Sequence, residues 1–183
     1  MLDLYRELVR DQQIKYGEGY ISHHFFLSKY GSLCESIKEL GVYEGCSLAC
    51  LMLTNPKKLV GIDRDISRIK NVEKFKNYAI ENNIDFDIKN LDSLDIKAVS
   101  SCDLLHIDSF HTYEYLLNEL RLHGPYIRKY IIFHDTNTNK RVLTNSQGLL
   151  QAIAYYISEI EPKWQIVEHS LQGMGSVVIK REI

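Results

Sequence analysis

The chain has 183 residues, 45% of them hydrophobic and 25% charged, with a formal net charge of −2. That length suits one domain with a substantial core. The composition argues against disorder, and the near-balanced charge gives no global basic field that would draw the chain to nucleic acid. Basic residues gather at 57–76, but acids are interleaved, so the run reads as a solvated helix face. The chain opens without a charged and apolar leader, and no apolar run approaches ~18 residues. The expectation is a cytoplasmic protein with no membrane segment and with reduced thiols. Cys34, Cys46, Cys50 and Cys102 form no C-x-x-C pair. Cys46 and Cys50, four apart, read as small buried apolar residues rather than zinc ligands.

Residues 2–16 place Leu2, Tyr5, Leu8 and Val9 near helical spacing, with Gly17 as the stop. Ser22 is the candidate cap of a second helix, residues 23–30, closed by Gly31. Residues 1–34 read as a helical appendage, placed to cover a cleft or to mediate self-association, and 35–183 as the main domain. From Ser36 the pattern alternates. Strand "SIKEL" leads through a glycine turn to helix "CSLACLMLT". Strand "KLVGID" precedes a long helix, 66–82, with Asp65 as N-cap. Strand "DFDIKN" is followed by a short irregular piece at 94–99, then strand "CDLLHID" and helix 113–123, capped by Thr112 and ended by Gly124-Pro125. Strand "YIIFHD" closes the run. Strands that are almost wholly apolar are those buried on both faces by helices.

A polar loop, 136–148, then leads to helix "LLQAIAYYISEI". Its length and place suggest a lid, with Lys140 and Arg141 facing an anionic acceptor. The tail is two strands, "WQIVEHS" and "SVVIKR", joined by "LQGMG", a hairpin signal. The whole is a Rossmann-like three-layer α/β/α sandwich: a mostly parallel seven-stranded sheet with an antiparallel C-terminal hairpin.

Ligands of such sheets bind beyond the carboxyl ends of the strands. Those ends carry Glu39 and Gly41, Asp63, Asp92, Asp108 and the His134-Asp135 pair. Each acid alone also reads as an ordinary turn residue; together they point at one edge. Asp63 stands 22 residues after Gly41, where a carboxylate can accept both hydroxyls of a ribose. The turn is Gly41-Val42-Tyr43-Glu44-Gly45, not G-x-G-x-x-G, and Glu44 would repel a pyrophosphate. A nucleoside with a positive centre and no phosphate suits this rim, and S-adenosylmethionine has that description.

In order, "ELGVYEGCS", "GID", "LDS", "LLHIDSFHTYEYLLNELRLHGPYI" and "IIFHDT" resemble a class I S-adenosylmethionine-dependent methyltransferase. More narrowly they are similar to small-molecule O-methyltransferases of the cephalosporin hydroxylase and macrolide-sugar type. The resemblance covers about residues 36–179. It implies that Glu39, Gly41, Tyr43 and Gly45 line the methionine and adenosine side, that Asp63 takes the ribose, that Asp92 and Ser93 approach the adenine, and that Asp108 lies near the reacting methyl. Such sequences read "IDGDHSYE" where this one has Ser109-Phe110, so one acid beside His111 is missing. They also carry glycine at Cys46 and Pro-Gly-Gly at Arg128-Lys129.

Methyl transfer to an oxygen needs a positioned acceptor and a route for its proton. Asp108 and Asp135, on adjacent strand ends, are the candidate ligands of a divalent ion, Mg²⁺ by its oxygen preference. His111 and His134 are the candidate bases; each also reads as a plain loop or backbone-bonded histidine. His106, inside an apolar strand, reads as structural. His23 and His24 are neighbours on a short helix and cannot share a face to hold one metal ion. Tyr113, Tyr115, Tyr155 and Tyr156 read as packing residues. The functional expectation is S-adenosylmethionine-dependent methyl transfer to a hydroxyl of a small molecule, a sugar or natural-product intermediate. The alternatives are a non-catalytic nucleoside-binding module, favoured by Phe110, and a nicotinamide-dependent oxidoreductase, disfavoured by Glu44 and the reversed hairpin.

Overall fold

The computed structural model describes residues 1–137 and 148–182. The loop read as a lid, with Lys140 and Arg141, falls largely outside the described residues. Strands β1 (Ser36–Leu40), β2 (Lys58–Asp63), β3 (Asp85–Asn90), β4 (Cys102–Ile107), β5 (Ile127–His134), β6 (Trp164–Ser170) and β7 (Ser176–Arg181) form one sheet in the order β3-β2-β1-β4-β5-β7-β6. β1 to β5 are parallel, and β7 runs antiparallel to both β5 and β6. The chain starts in the middle of the sheet, winds outward to β3, and returns to β4 beside β1. That reversal opens a crevice at the carboxyl ends of β1 and β4.

Side chains of a strand alternate between faces, and each face here has its own helices. Ile37, Leu59, Leu104, Ile132 and Val178 meet α1 (Leu2–Tyr16), α2 (His24–Gly31), α3 (Cys46–Met52) and α4 (Val72–Glu81). Leu40, Leu105, Ile131, Phe133 and Val177 meet α5 (Tyr113–His123) and α6 (Leu149–Tyr155). β4 is buried along its whole length, which accounts for its apolar run. Leu4 and Leu8 of α1 and Leu27 of α2 share one apolar cluster with the sheet. Cys46 and Cys50 are buried free thiols. No helix among the described residues is long and apolar enough to cross a membrane.

Local signals decide most boundaries. Thr112 Oγ1 accepts Tyr115 N–H at 3.4 Å and starts α5, and the chain turns out of it at Gly124-Pro125. Three expectations need correction. The helix expected over 66–82 is broken: Asp65 caps only a 3₁₀ turn, Ile66–Arg68, and α4 begins at Val72 after Asn71 takes a left-handed φ of 58°. There the Lys70 N–H leaves helical pairing and donates to the Glu44 carbonyl at 3.1 Å, tying the segment to the glycine turn. Ser22 does not cap α2; its hydroxyl donates to the Gln172 carbonyl at 3.1 Å. The helix expected from Leu149 widens into a π-type turn, Tyr156–Ile160.

Candidate functional site

The turn after β1 is shaped by what it must pass. Gly41 has φ 86°, and a Cβ there would run into the Asp108 carbonyl of the neighbouring strand end. Tyr43 also sits at positive φ, 52°. The turn is held by Asp63, whose Oδ2 accepts the N–H groups of Val42 at 2.9 Å and Tyr43 at 2.8 Å, and whose Oδ1 accepts Asp65 N–H at 2.8 Å. Asp63 therefore fixes the turn as well as facing what lies above it.

Above the turn lies a cavity of about 710 Å³, within the size range of small-molecule sites. Gly41, Tyr43, Asp63, Ser93, Asp108, His111 and Asp135 all line it. Gly45 lies outside the lining and shapes the turn: at φ 94° it packs so that a Cβ would press on Phe75 and Ile69. Asp92 also stands behind the lining, its Oδ1 accepting Tyr115 O–H at 2.7 Å and Leu94 N–H at 2.8 Å. Tyr115 thus does more than pack; its hydroxyl also lies 3.0 Å from Ser93 Oγ at the wall. Glu39 does not reach the cavity. It is fully buried in the layer beneath, with Oε1 2.9 Å from His106 Nδ1. Burial pushes its carboxyl up, against the opposing pull of His106.

At the far wall, β4 and β5 bring Asp108 and Asp135 together around one imidazole. His111 Nε2 lies 3.3 Å from Asp108 Oδ1 and 3.1 Å from Asp135 Oδ2. Asp135 takes a left-handed φ of 57°, a conformation uncommon outside glycine and frequent at working sites. His134 points the other way: it is 1% exposed, beneath the floor, with Nδ1 3.3 Å from Asp108 Oδ1. Burial alone would raise the Asp108 carboxyl, but His134 and then His111 outweigh it and hold it well below the usual range. In the opposite sense burial lowers both imidazoles, and Asp108 more than restores them, leaving each above its ordinary value.

Several residues at the site were not singled out from the sequence. Lys15, Tyr16 and Tyr20 come from the N-terminal segment and form one wall of the cavity. Tyr43 meets two cations: Lys15 Nζ donates to its hydroxyl, and the Arg68 guanidinium lies 4.8 Å from its ring centre. With Arg64 also on the lining, the rim is mixed in charge rather than acidic. Glu44 turns away, accepting from Gln12 at 3.0 Å and pairing with Lys70 at 3.2 Å; its charge is compensated and does not face a ligand. Against a dinucleotide, the reversed hairpin is then the remaining observation. Glu119 is buried beside the cavity wall, accepting Ser109 O–H at 2.5 Å, and burial pushes its carboxyl up to about 7. The sequence signal for Glu119 was an acid at an inward position of α5.

The fold defined by this sheet order is that of known methyltransferase structures. An O-methyltransferase from Bacillus cereus in complex with SAH is similar over 88% of this chain and 81% of its own, with TM-score 0.61 and 15% identity. SAH-bound methyltransferase PaMTH1 from Podospora anserina is similar over 100% and 88%, with TM-score 0.66 and 12% identity. N-methyltransferase NodS from Bradyrhizobium japonicum WM9 is similar over 94% and 99%, with TM-score 0.65 and 11% identity. No protein-family model matches the chain, and no curated protein matches it. At these identities the likeness is one of fold, and the acceptor atom differs among the structures sharing it.

Proposed function

We propose that this chain transfers a methyl group from S-adenosylmethionine to a hydroxyl of a small molecule. The observation that carries the reading is the meeting of Asp108, His111 and Asp135 at the cavity wall, directly beside the Gly41 turn. The cavity fits the donor: it has the volume, a turn pinned open by Asp63, and polar groups from Ser93 and Tyr43 on its lining. Tyr43, Asp63 and Ser93 would hold the nucleoside, and Gly41 and Asp108 the amino-acid end. The bound donor supplies a methyl group on a positive sulfur.

The chain's own residues then have to position an acceptor oxygen and move its proton. His111 is the base: it is the imidazole on the cavity lining, and two carboxylates stabilise its protonated form. His134, buried below, lies with Nδ1 3.3 Å from Asp108 Oδ1 and bears on its charge rather than on the acceptor. Asp108 and Asp135 also have the oxygen chemistry for Mg²⁺; when bound, the ion would favour the deprotonated acceptor. Tyr16, Tyr20 and Phe110 give the cavity aromatic walls, suited to a flat or sugar-like acceptor.

Calorimetry with S-adenosylmethionine, S-adenosylhomocysteine and NAD tests the reading. Binding of the first two and not the third is expected, and Asp63→Ala should weaken binding by about 1–3 kcal/mol. Absence of S-adenosylmethionine binding by folded protein overturns it. Chelation that leaves turnover intact removes the ion and leaves the residues. A nucleoside-binding module without turnover is the second reading, favoured by Phe110, which puts an exposed aromatic ring where the resembling sequences carry an acid. Donor binding without methyl transfer to any screened hydroxyl would select it.

A further inference from the structure

Beneath the cavity floor, the segment leading into α2 lays His23 against the sheet. Its ring lies against that of His134, 3.7 Å between centroids and tilted by 33°. His23 and His134 are each 1% exposed. Among the described residues, neither ring nitrogen of either histidine has a hydrogen-bond partner; His134 Nδ1 faces Asp108 Oδ1 at 3.3 Å without hydrogen-bond alignment. Buried polar atoms are normally paired, and an imidazole must place a lone pair and an N–H somewhere. Here a nitrogen of each ring and an Asp108 oxygen lie within 4.8 Å of one another, with Asp135 Oδ1 also 3.6 Å from His134 Nδ1.

We propose that His23, His134 and Asp108 form a buried transition-metal site of two imidazoles and one carboxylate, for an ion such as Zn²⁺, Co²⁺ or Fe²⁺. The three ligands come from three separate elements: the start of α2, the end of β5 and the residue after β4. The donor set is richer in nitrogen than Asp108, His111 and Asp135 above it, which is why it selects a borderline ion over Mg²⁺. Both sets use Asp108. An ion in the lower one would lock that carboxylate and make the N-terminal segment a structural part of the centre.

The test is titration of the full chain with Co²⁺ alone, without donor or acceptor, followed by visible d–d absorption and calorimetry. One Co²⁺ per chain is expected. His23→Phe, which keeps a ring at that position and removes both nitrogens, should weaken binding by at least about tenfold, as should His134→Phe, while His111→Ala leaves it little changed. Circular dichroism verifies that each variant folds. Wild-type protein gives a readout that needs no variant: paramagnetic broadening of the His23 and His134 ring signals. The proposal is overturned if the wild type takes up no Co²⁺, if folded His23→Phe binds it as tightly as wild type, or if the broadened signal is that of His111 alone. Because the donor is absent throughout, failure here leaves the methyl-transfer reading standing, and failure of donor binding leaves this one standing.

Discussion

The two ends of the sheet carry the same side chain to opposite effect. At the amino ends, Asp103 is 4% exposed and saturated: it accepts Glu35 N–H at 2.9 Å, Ser36 N–H at 3.4 Å and Arg128 Nε–H at 2.9 Å, with Lys129 3.6 Å away. At the carboxyl ends, Asp108 opens on a cavity, and its ion-pair partners among the described residues are imidazoles, which lead on to a second carboxylate. Backbone N–H and guanidinium partners fix the Asp103 carboxylate in place at the end of the sheet away from the cavity. Imidazole partners can give up or accept a proton, so the charge around Asp108 can change during a reaction. Pairing, rather than residue type, separates the strut from the working group.

That contrast can be broken by exchanging the readouts. Asp108→Asn should lower methyl transfer by about 10²–10⁴-fold, the range for loss of acid–base machinery, with the chain still folding cooperatively. The contrast fails if this variant loses its fold while turnover per folded molecule is unchanged. Asp103→Ala should do the reverse, lowering the free energy of unfolding by about 1–2 kcal/mol in denaturant titrations, since it removes hydrogen bonds whose half-exposed partners Arg128 and Lys129 can turn to water, and leaving S-adenosylhomocysteine affinity alone. Burial would raise the Asp103 carboxyl, but the Glu35 N–H and Arg128 outweigh it and hold it low. Its stabilisation is therefore full above the unfolded carboxylate value of about 4 and lost as pH falls through the lower folded value. Asp103→Ala should thus flatten acid unfolding below that point.

Glu119 sharpens the contrast because it belongs to neither kind. It is fully buried at the carboxyl end, one oxygen taking Ser109 O–H and the other without a partner among the described residues. Burial pushes its carboxyl up to about 7. The folded state then holds the proton more tightly than the unfolded one, so stability is greatest below about pH 4.5 and declines as pH rises toward 7. Glu119→Gln should remove that decline, a gain of about 3 kcal/mol at alkaline pH. Urea titrations at several pH values measure it. Equal slopes for wild type and variant would mean that Glu119 is ionised throughout.

The architecture was legible because its signals are local. Apolar runs such as "DLLHI", the Thr112 cap and the terminal hairpin each depend on neighbours in sequence, and they gave the sheet and its reversed end. The acids at strand tips were legible for the same reason, since a parallel sheet sends its strand ends to one edge. Which way each side chain then turns was not. His134 and Asp135 are adjacent, yet His134 lies beneath the floor while Asp135, with its left-handed backbone, lines the cavity. Glu44 reads as a barrier to phosphate, but Lys70, 26 residues after it, pairs with its charge and Gln12, 32 residues before, donates to it. His23 stands next to His24 in sequence, yet its ring meets that of His134, more than 100 positions away. Pairings over such distances leave no periodic trace.

The smallest effect falls on the part of the carboxyl end that the N-terminal helix supplies. Lys15 donates to the Tyr43 hydroxyl, lies 5.0 Å from the Tyr16 ring centre, and pairs with Glu44 at 3.4 Å. Its side chain is half-exposed, so water and salt screen these contacts. Lys15→Ala should therefore weaken donor binding only about two- to fivefold, and the loss should shrink as ionic strength rises. Lys15→Leu keeps the stem that covers Tyr43 and removes the charge, so it separates covering from attraction. If both variants weaken binding equally and salt has no influence, the ammonium matters through its hydrogen bond to Tyr43. If neither changes donor affinity, α1 supports the sheet face by face-to-face packing through Leu4 and Leu8, and the cavity wall it contributes serves the acceptor instead.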